Sequence, residues 1–224
     1  MVEFDKDGKI VVPETSYLDE DNAVFKCNWN DAGWKGICSK KAREFNVLKK
    51  HAWCCDCTNN CSDLIAKNEK GFPCMESKLF ADFYITPGDY LRGDRKHDEK
   101  HIRGIGKGKI AFLTTISPEI KEGDRYFIGL LDVERVEQDR HIYGNKQTSI
   151  IIPEQIKVKF WNYFKNEDGS KKWSSGLFRY INDAQALQIL LDLKKEFGKI
   201  AGFDKEKSNL DVLIKRYQGY LGEE

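Results

Sequence analysis

Apolar and polar residues alternate most clearly at Ile156-Lys157-Val158-Lys159-Phe160, the pattern of a strand with one buried face. Four further apolar runs predict strands: LFADFYITP (79–87), stopped by Pro87; IAFLTT (110–115); YFIGLLDVERV (126–136); and TSIII (148–152), stopped by Pro153. The period then lengthens. Leu187, Leu190, Leu191 and Phe197 form a helical stripe behind Asn182, whose partner three positions on is Gln185, a capping box. A second stripe, Leu210, Leu213, Ile214 and Tyr217, predicts a helix starting at Ser208. Short strands followed by helices imply an α+β fold, a small curved sheet or barrel covered on one side. Before residue 79 only Ile10 to Val12 reads as a strand, and 27–74 is rich in Cys, Trp, Asn and Lys with little periodicity. The expected organisation is therefore an N-terminal arm and cysteine-rich module (1–78), a sheet domain (79–198) and a C-terminal helix (199–224).

Composition changes the picture little. At 224 residues, 40% hydrophobic and 33% charged, the chain is long enough for a proper core, and its net charge is +1. No apolar run approaches a membrane span. The acidic start MVEFDKDGKIVV lacks the layout of a signal peptide, so a reducing cytoplasm without structural disulfides is expected, and no membrane partner. Charge is unevenly spread. Residues 1–22 carry seven acids against two lysines, whereas 92–109 carry seven Lys or Arg against three acids. The second run reads as a solvated loop or as one facing phosphates, with Arg92, Arg95 and Lys107 as its candidate contacts.

Four of the seven cysteines fall within HAWCCDCTNNC (51–61). The C-x2-C pair Cys54/Cys57, or Cys57/Cys61, lets two thiolates from one turn reach one ion, with Cys38, Cys74 or His51 to complete the sphere. Zinc is the expected cofactor, and an iron–sulfur cluster is the alternative that spacing leaves open. Thioredoxin-type redox chemistry would need a strand before the pair, and none is read there. Cys27 stands apart as a small buried hydrophobe.

Other motifs carry less. HDEKH (97–101) has Asp98 where a zincin needs Glu, in a run charged throughout. GIGKGK (104–109) precedes a strand instead of opening a helix, unlike a phosphate loop. No nucleophile context or carboxylate pair supports a specific enzymatic mechanism. Tryptophan is the exception. Trp29 and Trp34 flank CNWNDAGWKGIC, and Trp161 and Trp173 lie among lysines in KFWNYFKNEDGSKKWSSGLFRY, the ingredients for holding an unstacked base.

LFADFYITPGDYLRG, KGKIAFLTT and RYFIGLLDVERV together resemble the PUA-like superfamily, especially its EVE and YTH branches. The matching stretches are 83–90, 110–115 and 127–133, within a resemblance covering about 79–195. It implies a small twisted β-barrel with flanking helices and a pocket for a flipped, often methylated, base. The positions it points to are Thr86, Thr114, Thr115 and Ser117, with Tyr84, Trp161 and Trp173 as candidate aromatic walls. The cysteine-rich module and the charged loop depart from the family pattern.

The function expected is a non-catalytic reader of a modified base, in DNA in preference to RNA. It would be the recognition part of a modification-dependent restriction or defence system, partnered by a nuclease or NTPase. The alternatives are a metal- or iron–sulfur-dependent nucleic-acid-processing enzyme and a zinc-stabilised protein-interaction adaptor.

Overall fold

A computed structural model describes residues 21–49, 54, 74–90, 93–95, 98–173 and 176–222. The fold is α+β: a mixed seven-stranded sheet with four helices among these residues. The strands are β1 (Asn22–Lys26), β2 (Tyr84–Ile85), β3 (Ile110–Thr115), β4 (Tyr126–Glu137), β5 (His141–Gly144), β6 (Ile150–Ile151) and β7 (Phe178–Ile181). The helices are α1 (Lys40–Leu48), α2 (Leu79–Asp82), α3 (Asp183–Gly198) and α4 (Asp204–Leu221). The order across the sheet is β2-β5-β4-β3-β1-β7, with β6 paired to β4. Only β1 and β3 run parallel among the described pairs. The ladders of the described strands leave the sheet open between β2 and β7, so the expected closed barrel is not what they form.

Both faces of the central strands are apolar, which is why β3 reads as a continuous apolar run and is buried at every residue. Val24, Ile110 and Phe112 point to the side covered by α3 and α4, where Leu190, Leu193, Leu213 and Tyr217 complete one core. Ala23, Phe25, Ala111 and Leu113 point to the other side, against Trp34, Leu79, Phe80 and Ile142. The capping box of α3 forms as its sequence predicts: Asn182 Oδ1 accepts from Gln185 N at 2.8 Å, and Asn182 N donates to Gln185 Oε1 at 3.0 Å. Helix α4 starts four residues earlier than its stripe predicts, at Asp204 behind Phe203 in the left-handed region.

Three strand expectations shift. In 79–87 the chain forms α2, turns at Phe83 with φ 51°, and pairs only at Tyr84–Ile85. Leu79 and Phe80 are both buried, a demand that one turn of helix meets and a one-face strand does not. In 148–152 only Ile150–Ile151 pairs. In 156–160 the alternation is real in burial, with Ile156, Val158 and Phe160 inside, but only a Tyr126–Lys159 bridge forms before a 3-10 turn at Phe160–Asn162. The strand expected at 10–12 lies outside the described residues.

Strand β1 comes from the stretch grouped with the cysteine-rich module, yet it sits inside the sheet between β3 and β7. Asn22, fully buried, fixes it there. Its Oδ1 accepts from Ile110 N at 2.8 Å and from the Tyr217 hydroxyl, and its Nδ2 donates to Asp183 Oδ1 at 2.8 Å. One amide thus ties β1 to β3, α3 and α4. Lys109 Nζ, 2.9 Å from Asp183 Oδ2, neutralises the carboxylate beside it.

Candidate nucleic-acid interface

The 3-10 turn after Val158 places Phe160, Trp161 and Phe164 within a few residues of one another, and the loop that follows returns Trp173 to them. Phe160 and Phe164 stack at 5.5 Å with planes 20° apart; Phe160 meets Trp161 at 4.8 Å and Trp173 at 5.0 Å. The two tryptophans are 6.5 Å apart, edge to face. The sequence thus brings together the rings it marked, but mostly as core: Trp161 is 3% exposed and Trp173 7%. Each indole N–H is satisfied internally, Trp161 Nε1 donating to Glu122 O at 2.7 Å and Trp173 Nε1 to Gly176 O at 3.1 Å.

Cations surround this cluster. The Arg179 guanidinium lies 4.7 Å from the Phe164 ring centroid and 5.4 Å from that of Trp173, and Arg125 lies 5.2 Å from Trp173. Arg125 is fully buried and held bidentate by Glu122 at 2.7 and 2.8 Å. Burial pushes the Arg179 guanidinium below its ordinary range. Lys26, at the end of β1, is lowered by burial and then by the Arg125 charge. Glu122 balances the Arg125 charge, so Arg179 and Lys26 are the further cations at this end of the sheet.

Outside the cluster opens a pocket of about 460 Å³, lined by Trp161, Asn162, Phe164, Lys165, Gly169, Ser170 and Lys171. That volume falls within the roughly 300–1,000 Å³ typical of small-molecule sites. Trp161 is buried in this lining, while Phe164 is half-buried and Asn162, Lys165 and Lys171 are exposed. The lining carries two lysines and no acid. Its far wall is a self-braced turn: Asn166 Nδ2 donates to Ser170 O at 2.6 Å and Lys172 O at 2.9 Å, and Ser170 N donates to Asp168 Oδ1 at 2.9 Å. Gly169 sits at φ 72°, a conformation that favours glycine. Phe164, Trp161, the exposed Asn162 and two lysines thus line one opening.

The other predicted positions lie elsewhere. Thr114 and Thr115 are fully buried, and their hydroxyls donate to Phe25 O at 2.8 Å and Cys27 O at 3.0 Å, bracing β1 against β3. Ser117 is buried and bonds the Tyr126 hydroxyl. Tyr84 stacks on His141 at the β2–β5 edge, with its hydroxyl 2.6 Å from His141 Nδ1, and Thr86 Oγ1 accepts from Gly88 N at 3.3 Å. Arg95 is exposed, pairs with Asp98 at 3.2 Å and lies over Tyr90. Lys107 is exposed, and Arg92 lies outside the described residues. None of these lines the pocket. Phe164, Asn162, Lys165 and Lys171 do, and sequence reasoning passed over them because the tryptophans beside them were the stronger signal.

Of the predicted metal ligands, Cys38, Cys54 and Cys74 line one small cavity beside the end of β1, while Cys57 and Cys61 lie outside the described residues. Among the described residues no three His, Cys, Asp or Glu side chains form a ready metal-holding group. No described helix is long and apolar enough to cross a membrane. No protein-family model matches the chain, and neither a curated protein nor a solved structure does so.

Proposed function

We propose that this chain is a non-catalytic nucleic-acid-binding module that receives one extruded, methylated base of DNA, as the recognition part of a modification-dependent restriction or defence system. A nuclease or NTPase partner in the cytoplasm would act on the DNA so marked. The family reading that accompanies it is a PUA-like domain with flanking helices. The observation that carries the proposal is the pocket beside Phe164, with Lys165 and Lys171 at its mouth and no acid in its lining. Extruding a base costs a few kcal/mol. Stacking on an aromatic ring returns about 1–3 kcal/mol, and the exposed Asn162 amide can bond the edge of the base. The lysines neutralise the flanking phosphates, adding affinity without sequence information.

The test is the Kd for methylated and plain duplexes, read for the native chain, Phe164→Ala and Lys165→Ala/Lys171→Ala. Phe164→Ala should weaken methylated DNA about 5- to 150-fold, matching that stacking energy, and plain DNA far less. The double lysine variant should weaken both alike and lower the salt slope by about 2. Unchanged affinity in both variants would refute the placement.

A further inference from the structure

The cavity at the end of β1 has a chemistry the base pocket does not use. Cys38 precedes α1, Cys54 lies 16 residues further on, and Cys74 precedes the turn into α2, yet all three line one cavity of about 30 Å³. We infer that it is the seat of one zinc ion held by the thiolates of Cys38, Cys54 and Cys74, with Asn28 as a supporting hydrogen-bond donor to sulfur.

Asn28 carries the argument. Its Nδ2 lies 3.5 Å from Cys54 Sγ and 2.7 Å from Glu76 Oε2, while its backbone N donates to Glu76 Oε1 at 2.6 Å. Glu76 therefore clamps Asn28 from both sides and aims an N–H at the sulfur. Such a donor favours the thiolate over the thiol, and an oriented second layer of this kind accompanies metal ligands. The backbone around the other thiols is fixed as well. Ser77 Oγ donates to Cys74 O at 2.7 Å. Ser39, next to Cys38, caps α1 by accepting from Ala42 N at 3.3 Å, and its own N donates to Asp31 Oδ1 at 2.9 Å. Asn46 holds α1 to the chain after β1, accepting from Trp29 N at 3.2 Å and donating to Trp29 O at 2.8 Å.

Trp29 and Trp34 form apolar walls of the cavity. Arg43 shares this lining, and zinc with thiolate ligands relieves the repulsion among thiolates gathered beside such walls. Zinc binds each thiolate at about 2.3 Å.

Three experiments on the full chain test this. Purified without chelator, it should contain about one zinc per chain by elemental analysis, falling at least tenfold in Cys38→Ser/Cys74→Ser. Because that variant can fail to fold, the native chain is also alkylated with iodoacetamide, with and without a zinc chelator, and each cysteine read by mass spectrometry. Chelation should raise labelling of Cys38, Cys54 and Cys74 at least tenfold and leave Cys27, 1% exposed, unchanged. Asn28→Ala should weaken zinc about 10- to 100-fold at unchanged stoichiometry. No bound metal, iron in its place, or labelling indifferent to chelation would overturn the assignment.

Discussion

Replacing Asn22 with alanine tests the joint on which the sheet and its helices depend. The side chain is fully buried and makes three hydrogen bonds, to Ile110 N, the Tyr217 hydroxyl and Asp183. Alanine leaves Ile110 N and the Tyr217 hydroxyl without this acceptor inside the core, at about 1–3 kcal/mol each. Asp183 keeps Lys109 and loses less. The sum is about 4 kcal/mol, a fall in Tm of roughly 8–16 °C for a chain of this size. Tyr217→Phe removes one hydroxyl but leaves Asn22 bonded to Ile110, and should cost about 1 kcal/mol. Combined, the two changes should be less than additive by about 1–2 kcal/mol, because the phenylalanine variant has no hydroxyl to orphan. Urea unfolding followed by circular dichroism reads all three. A cost below 1 kcal/mol for Asn22→Ala, or strict additivity, would refute the account of Asn22 as the joint.

Other perturbations probe separate parts of the molecule. Arg216 pairs with the buried Asp132 at 2.6 and 3.0 Å, so Arg216→Ala should destabilise by about 3 kcal/mol in thermal unfolding by leaving the carboxylate with Thr148 but without its counter-charge; a change below 1 kcal/mol would contradict this. Gly129→Ala puts a Cβ 2.7 Å from Ile150 O and against the Phe80 ring, so it should destabilise by about 3 kcal/mol or more, whereas Gly198→Ala, whose added methyl meets nothing, should be tolerated; equal Tm values for the two would count against the packing of β4 on α2. Arg95→Ala breaks an exposed pair remote from the pocket lining and should move neither stability nor the discrimination between methylated and plain DNA; lost discrimination would relocate the interface.

How much was legible depended on whether a signal was local. The α3 capping box needs only residues 182–185, and β3 needs only an apolar run, so both were readable. Strand β1 was not, because NAVFK is short and its partner in β3 lies 88 residues away, reached through the Asn22 amide. In 79–87 apolar content was read correctly but its geometry was not, since α2 is a single turn ended by the left-handed Phe83. The aromatic stretch 160–173 was picked out by its tryptophans. Burial inverted their rank: Phe160 packs between Trp161 and Trp173, which fills the core with indoles and leaves Phe164 and the lysines facing the opening. The cysteine spacing nominated Cys54 with Cys57, and Cys38, Cys61 and Cys74 as further donors, but the Asn28–Glu76 clamp beside Cys54 is a tertiary feature that spacing cannot reveal.

The central claim is that a base leaves the duplex to enter the pocket beside Phe164. A duplex carrying a fluorescent adenine analogue opposite the methylated position reports this directly, because its emission is quenched while stacked in DNA and rises when its partner leaves the helix. Titration with the native chain should raise the emission at the target position and at no neighbouring one, and Phe164→Ala should abolish the rise. Tight binding with emission unchanged at every position would show that the base stays in the helix, and would contradict the account.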